Sequence, residues 1–212
     1  MSDIANKPAS SIRAILFDFG GVLAEEGFRE GLKEIAQEHG LEAESFYQLG
    51  AEAVYGSGYV IGQGSEADFW NVLCRRGGLP PYEPGFTREI LQHFVLRPEM
   101  MAAVRTLRKQ GYLTVILSDQ TDWLDQLDKR DDFFREFDRV FNSYHLGKGK
   151  RDPSIFDDTL RELGVEPQQA LFIDDNAGHV ERAASRGLKT ILFQDQQRLL
   201  ADLEPLLRSP CR

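Results

Sequence analysis

The chain has 212 residues, and 34 Asp and Glu residues against 25 Lys and Arg residues give it a formal net charge of −9 at pH 7. Its hydrophobic fraction of 42%, with 14 Phe residues, excludes a disordered chain. The acidic balance argues against general binding to nucleic acids or anionic membranes, because both partners require an excess of cationic side chains.

The first predicted element follows an N-terminal segment, residues 1–11, that we expect to be a flexible tail. This segment has no apolar signal core, and no run in the chain approaches the roughly 20 apolar residues of a transmembrane helix, so we expect a cytoplasmic protein. Residues 13–18 (RAILFD) are apolar and end at the turn signal Gly20-Gly21, which predicts a short buried strand.

The next region, residues 24–97, contains amphipathic helical patterns and no comparable strand, which predicts a helical insertion. One of its helices begins at the capping-box pattern Ser65-x-x-Asp68, and a loop rich in Gly and Pro is expected over residues 77–85. Cys74 lies in the apolar stretch of this helix and is expected in the core. With Cys211 as its only companion, it offers neither a disulfide framework nor a metal-binding spacing.

Beyond the insertion, short apolar runs alternate with helical patterns that stop at glycine. Strands are predicted at residues 112–118, 139–143, 170–174 and 189–193, and helices at residues 98–110, 152–163 and 176–186. Continuous apolar strands separated by helices indicate a parallel sheet covered on both faces. We therefore predict an α/β fold with a Rossmann-like core, residues 12–23 and 98–212, and an inserted helical cap domain, residues 24–97.

Candidate functional residues stand at the carboxyl ends of the predicted strands, where parallel α/β sheets bind ligands. Asp18, Ser118 and the pair Asp174-Asp175 each end a strand, and Lys150 lies in the loop after the strand at residues 139–143. Each residue alone is compatible with a helix cap or a solvated loop. Together they suit phosphoryl transfer through an aspartyl intermediate, in which Mg²⁺, a lysine and hydroxyl or amide donors neutralise the phosphate.

The order of four motifs resembles the haloacid dehalogenase (HAD) superfamily of hydrolases. These motifs are FDFGGVL, ILSD, LGKGKRDPSIF and FIDDN, and they run from Asp18 to Asp175 with a helical insertion after the first. The resemblance implies a phosphatase of small phosphorylated metabolites with a small helical cap. It favours neither nucleic acid nor membrane partners.

The same resemblance implies a role for each matching residue. Asp18 would be the nucleophile, Ser118 and the backbone amide of Asp119 would bind the phosphate, and Lys150 would neutralise it. Mg²⁺ would be held by Asp18, by the backbone carbonyl of Gly20 and by Asp174. Asp175 would assist through water or by orienting Lys150.

Gly20 departs from the phosphatase pattern of the family, in which a second Asp at this position protonates the leaving group and activates water. Some members with Gly here, among them phosphatases of α-glucose 1-phosphate, are regarded as active. Because general acid–base catalysis contributes roughly 10²–10⁴-fold, we expect a preference for substrates such as sugar 1-phosphates, acyl phosphates or aryl phosphates. A second hypothesis is that Asp119 or Asp122 supplies the missing base.

Several alternatives stay open at this point. A binding or regulatory protein with little turnover is the main one, and a dehalogenase or a phosphomutase ranks lower. A phospho-acceptor signalling domain is disfavoured because its acidic pair is expected near the first strand. His179 could face the metal but is expected to be a partly exposed helical residue. Tyr144-His145 could line the entrance, and residues 55–63 are expected to form a core or turn of the insertion.

Overall fold

The computed structural model describes residues 12–207, so the predicted tail at residues 1–11 and Cys211 lie outside the described part. Five strands form one parallel sheet in the order β3-β2-β1-β4-β5. Their bounds are β1 (Ala14–Phe17), β2 (Leu113–Ser118), β3 (Arg139–Asn142), β4 (Ala170–Asp174) and β5 (Lys189–Leu192). All five predicted strands and their parallel arrangement are confirmed, with differences of one residue or so at the ends.

The insertion, residues 24–97, contains four helices between β1 and the helix that leads into β2. They are α1 (Gly27–Glu38), α2 (Ala43–Gly56), α3 (Glu66–Gly77) and α4 (Pro84–His93), with a short 3₁₀ turn at Tyr59–Ile61 between α2 and α3. The capping box at the start of α3 is present, because the Ser65 amide donates to Asp68 Oδ2 (2.9 Å) and the Asp68 amide donates to Ser65 Oγ (3.2 Å). Cys74 is buried, as predicted.

Six further helices accompany the sheet. They are α5 (Pro98–Lys109), α6 (Trp123–Asp131), the single turn α7 (Ser143–Leu146), α8 (Ser154–Leu163), α9 (Ala177–Ser185) and α10 (Gln196–Leu207). Alternate residues of the strands pack into two different apolar clusters, one containing α8 and α9 and the other containing α5, α6 and α10. The sheet is therefore buried on both faces, which explains why its strands are continuously apolar.

Two boundaries differ from the predictions, and two helices were not predicted. The helix predicted from residue 152 begins at Ser154, because the Asp152 side chain accepts a hydrogen bond from the Ser154 amide (2.9 Å) and so precedes the helix. The loop predicted at residues 77–85 is shorter, since α4 begins at Pro84, a residue favoured in the first helical turn. The helices α6 and α10 were not predicted, and α6 is short and highly charged on one side.

The insertion leaves and re-enters the core at one place. Ala24 and Leu96 form an antiparallel bridge, with the Glu25 amide donating to the Val95 carbonyl (2.9 Å) and the Arg97 amide donating to the Leu23 carbonyl (2.9 Å). No described helix is long and apolar enough to cross a membrane. The cytoplasmic location stays a prediction.

Aromatic side chains join the insertion to α6. The fully buried Trp123 packs against Phe28, Tyr59 and Phe69, with ring centroids 5.8 to 6.3 Å apart. Its Nε1 donates to Glu66 Oε1 of α3 (2.8 Å). Helices α1 and α3 and the 3₁₀ turn of the insertion thus pack against α6, which follows β2.

Candidate active site

The carboxyl edge of the sheet brings together the residues that the motifs predicted. Asp18 follows β1, Ser118 ends β2 and Asp174 ends β4, the two strands that flank β1. One oxygen of Asp18, Oδ1, accepts hydrogen bonds from the Phe19 amide (2.7 Å) and from Ser118 Oγ (2.8 Å). The central strand therefore presents a fixed carboxyl group to the space above the sheet.

Lys150 joins the acidic residues of neighbouring strands. Its fully buried Nζ lies 2.9 Å from Asp18 Oδ1 and 2.6 Å from Asp174 Oδ2. Its backbone amide donates to Asp119 Oδ1 (2.7 Å), which holds the loop against the end of β2. The ammonium group is therefore buried and paired with both carboxylates.

Burial and charge act in opposite directions on the pKa values of this cluster. Burial raises the pKa of Asp18 well above its usual range, since the lowering effect of Lys150 is offset in part by the charge of Asp174. Burial also acts to raise the pKa of Asp174, but Lys150 and His179 outweigh it and hold the net pKa below the usual range. Burial acts to lower the pKa of Lys150, and the surrounding carboxylates reverse this effect and raise it. Lys150 is therefore permanently charged.

His179 is closer to this cluster than expected. Its Nδ1 lies 3.2 Å from Asp174 Oδ2, and only 13% of its side chain is exposed. His179 is thus the partly exposed helical residue that was predicted, and its ring also faces the acidic cluster. The reason is local, because the Asn176 side chain accepts from the amides of Gly178 and His179 and so fixes the start of α9, which turns His179 back towards β4.

The cluster carries an excess of negative charge. Asp18, Asp174 and Asp175 supply three carboxyl groups, whereas Lys150 is the buried ammonium that faces them. Ligand atoms of Asp18, Asp174 and His179 also lie within 4.8 Å of one another. Carboxylate and carbonyl oxygens are the ligands that Mg²⁺ prefers, so the donor set at this edge fits that ion and its charge would correct the imbalance.

Asp175 packs against the first loop of the chain. A Cβ atom at Gly21, whose φ is +80°, would lie 2.1 Å from Asp175 Oδ2, so this position requires glycine both for its conformation and for space. No hydrogen bond among the described residues joins Asp175 to Lys150, which is oriented by Asp18 and Asp174 instead. The supporting role of Asp175 stays a prediction.

A cavity of about 420 Å³ lies between the sheet edge and the insertion. The core contributes Asp18, Ser118 and Lys150 to its lining, and the insertion contributes Glu26, Arg29 and Tyr55. Tyr55 OH donates to Asp119 Oδ2 (2.6 Å), and the Arg151 guanidinium stacks 3.4 Å from the centre of the Tyr55 ring. These contacts join the insertion to the core at the wall of the cavity.

Residues 55–63 combine a structural role with a role at the cavity. Tyr59 is buried, and its hydroxyl donates to Asp122, while Ser143 Oγ donates to the Val60 carbonyl (2.6 Å). The predicted core or turn is therefore present, and Tyr55 additionally lines the cavity. Tyr144 and His145, considered at the entrance, contact Tyr59 and Asp125 and do not contribute to the described lining.

Glu26 is the residue of the cavity that the motifs did not reveal. A Cβ atom at Gly20 would lie 3.0 Å from Glu26 Oε2, so the Glu26 carboxyl group occupies the space next to the missing side chain. Burial, followed by the negative charge of Asp175, raises the pKa of Glu26 to about 7. The sequence signal was weak, because two adjacent glutamates at the start of a helical pattern are ordinary surface residues.

The parallel sheet, the inserted helices and the acidic cluster with its lysine at the end of β1 are features of a class of hydrolases with a Rossmann-like core. The chain belongs to the haloacid dehalogenase-like hydrolase family, whose pattern matches residues 12–187. The family predicted from the four motifs is thus confirmed. Dehalogenases of known structure share this fold as well.

Curated relatives and solved structures agree with this assignment. Bifunctional epoxide hydrolase 2 of Rattus norvegicus is 31% identical over 126 residues, which are 56% of this chain but only 22% of that protein. Phosphoglycolate phosphatase of Aquifex aeolicus is 28% identical over 191 residues, covering 85% of this chain and 84% of that one. A HAD family enzyme of Bacteroides thetaiotaomicron, solved with magnesium and inorganic phosphate, superimposes with a TM-score of 0.69 at 21% identity over 89% of this chain and 98% of that one.

Proposed function

We propose that the protein is a Mg²⁺-dependent phosphatase that hydrolyses a small phosphorylated metabolite through an aspartyl phosphate on Asp18. The supporting observation is the asymmetry of the Asp18 carboxyl group. Oδ1 takes the contacts from the Phe19 amide, Ser118 Oγ and Lys150 Nζ, whereas no described hydrogen bond or ion pair is made by Oδ2. Oδ2 is therefore the oxygen free to attack phosphorus at the wall of the cavity.

The reaction has two displacements. Asp18 Oδ2 forms a bond to phosphorus while the bond from phosphorus to the leaving oxygen breaks, and water then attacks the aspartyl phosphate to release inorganic phosphate. Lys150 neutralises the transferring group, and Ser118 Oγ and the Asp119 amide bind its oxygens. Asp18, the Gly20 carbonyl and Asp174 would hold Mg²⁺, which supplies further neutralisation of the phosphate charge when bound.

The cavity limits the substrate to a small molecule. Its volume of about 420 Å³ suits a metabolite, and the helices above it would exclude bulk water. Arg29 lines the same cavity and has a buried Nε without a described hydrogen-bond partner, which suits an acceptor group on the substrate. The glycine at position 20, taken by itself, favours sugar 1-phosphates as substrates. Phosphorylated carboxylic acids are a second candidate class.

Phosphate release from a panel of both classes, with and without Mg²⁺, tests the proposal. We expect Asp18→Asn to lower release by more than ~10³-fold, because the nucleophile carries both displacements. Asp202→Asn, which removes a half-exposed acidic side chain of α10, is the matched control and should retain full activity. Release that is unaffected by Asp18→Asn would exclude the mechanism, and no release from any substrate would favour the binding or regulatory protein.

A further inference from the structure

The proposed reaction requires a proton donor that the first motif does not provide. An alkyl phosphate that reacts at Asp18 expels an alkoxide, which needs a proton, and hydrolysis of the aspartyl phosphate needs a base that activates water. Gly20 has no side chain to serve either step. If the protein is the phosphatase proposed above, another residue of this chain must move that proton.

Four carboxyl groups line the described cavity, and three of them have other tasks. Asp18 is the nucleophile, held by Lys150. Asp119 accepts from the Lys150 amide at Oδ1 (2.7 Å) and from Tyr55 OH at Oδ2 (2.6 Å), so both of its oxygens are engaged. Asp175 packs against the Gly21 backbone.

Asp122, the other residue considered as a replacement base, does not belong to the described lining. Its carboxylate accepts from the buried Tyr59 hydroxyl and from Gln126 Nε2 (3.4 Å) instead. The fourth carboxyl group of the lining is Glu26, which comes from the insertion rather than from the sheet.

Glu26 is placed beside the position that lacks a side chain. Its Oε2 would lie 3.0 Å from a Cβ atom of Gly20, two residues beyond the nucleophile, and the Phe94 ring would lie 3.3 Å from the same point. The carboxyl group accepts a hydrogen bond from the Arg29 backbone amide, and no described hydrogen bond or ion pair ties it to a side chain. It is therefore free on the cavity side and bounded by an apolar ring.

We propose that Glu26 is the general acid–base residue of this enzyme and replaces, from the insertion, the carboxyl group that Gly20 lacks. Protonated Glu26 gives its proton to the leaving oxygen as that oxygen separates from phosphorus. The resulting carboxylate takes a proton from the water that attacks the aspartyl phosphate, which restores the acid and completes the cycle. Because Glu26 directly precedes α1 of the insertion, the proton is delivered only when the insertion covers the sheet edge.

This assignment changes the expected substrate preference. Without a proton donor, the enzyme would hydrolyse only phosphates with good leaving groups, as Gly20 alone suggested. With Glu26 in that role, simple alkyl phosphates are substrates as well.

The test compares Glu26→Gln with the wild type on two probes, an alkyl phosphate and p-nitrophenyl phosphate. We expect alkyl phosphate turnover to fall by ~10²–10⁴-fold, the usual contribution of a positioned acid or base. The first release of p-nitrophenol should stay fast, because that leaving group needs no proton. Steady-state release should then be slow, since hydrolysis of the aspartyl phosphate has lost its base, and a burst close to one equivalent per enzyme should appear.

Glu30→Gln is the matched control, because Glu30 lies one turn further along α1 and is exposed. It should leave both probes unchanged. A rescue variant sharpens the test: Gly20→Asp combined with Glu26→Ala should recover alkyl phosphate turnover. Gly20→Asp alone should lower alkyl phosphate turnover, because its Cβ atom would crowd the Glu26 carboxyl group at 3.0 Å.

Each outcome has a definite meaning when Asp18→Asn is assayed in parallel. If Asp18→Asn is inactive and Glu26→Gln retains alkyl phosphate turnover, the role of Glu26 is overturned while the phosphatase stands. Equal losses on both probes without a burst, in a protein with a wild-type circular dichroism spectrum, would also overturn it. If Asp18→Asn retains activity, the proposed function itself fails.

Discussion

The sheet edge and the insertion contribute to the same cavity with different physical means. At the sheet edge, the functional groups lie at the ends of strands, and the neighbouring strands hold these in place. Lys150 is fully buried between Asp18 and Asp174. The insertion reaches the cavity with side chains from helices, and it meets the core through aromatic packing and single hydroxyl contacts such as that of Tyr55 with Asp119. One region is held by charge and backbone, and the other by contacts that water can replace.

The sheet edge and the insertion should therefore differ in how easily they rearrange. A buried ion cluster is costly to rearrange, because each unpaired charge would lose its partner without gaining solvent. Hydroxyl and aromatic contacts contribute about 1 kcal/mol each and can be exchanged when helices move. We therefore expect the sheet edge to fix the position of the phosphate, and the insertion to control which molecules enter and when the proton donor is present.

The largest effect is expected when the positive charge of Lys150 is removed from the sheet edge. Lys150→Met leaves Asp18 and Asp174 facing each other without the ammonium, so we expect a loss of roughly 3–5 kcal/mol in the free energy of unfolding together with loss of activity. Lys148→Met, two residues earlier on the same loop, removes a half-exposed pair with Asp158 and should cost at most about 1 kcal/mol. Urea unfolding of both variants measures the difference, and equal losses would contradict the comparison.

A smaller effect is expected from the carboxyl group that links the two regions. Burial raises the pKa of Glu26 from 4.5 to about 7, so the folded protein keeps a proton there that the unfolded chain releases. This contribution to stability is fully present below about pH 4.5 and is lost as the pH rises through 7. Ionised Glu26 should then cost on the order of 3 kcal/mol.

Glu26→Gln removes this pH dependence, so its melting temperature should rise relative to that of the wild type between pH ~5 and pH ~8. Both proteins are measured without Mg²⁺. The difference between their melting temperatures cancels the titration of the groups that they share. A difference in melting temperature that does not change with pH would show that Glu26 is already ionised in the fold.

The smallest effects are expected at the hydroxyl contacts. Tyr55→Phe and Tyr59→Phe each remove one hydrogen bond to a carboxylate, of Asp119 and Asp122 respectively, and should cost about 1–2 kcal/mol. Hydrogen exchange should accelerate in α1 to α4 and stay unchanged in β1 to β5. Tyr112→Phe, whose hydroxyl donates to the Leu207 carbonyl away from the insertion, is the control. Faster exchange throughout the sheet would mean that the two regions do not move separately.

Much of the sheet edge could be predicted from the sequence, because it follows from local rules. Apolar runs of four to six residues marked the strands, and the carboxyl ends of parallel strands meet at one edge, which placed Asp18, Ser118 and Asp174 together. Lys150 was placed at the same edge because it follows the strand predicted at residues 139–143, and the resemblance to a family implied its individual role. The predicted roles of these residues await the experiments above.

The insertion was less predictable, because its contacts with the core join residues that are distant in the sequence. Nothing in the local pattern shows that Glu26 lies beside Gly20, or that Tyr55 and Tyr59 reach Asp119 and Asp122. The approach of His179 to Asp174 could have been predicted in part from the sequence. The Asn176 cap sets the first turn of α9, and that phase could have shown the ring facing Asp174.

The bridge between Ala24 and Leu96 has an evolutionary consequence. Since the chain departs and returns through adjacent, hydrogen-bonded residues, everything between them is a cassette whose length and content can change without altering the strand order. A lineage could exchange that cassette and obtain a different substrate range on the same nucleophile. If the cassette also carries the acid, as Glu26 suggests, such an exchange would transfer part of the catalytic apparatus along with the specificity.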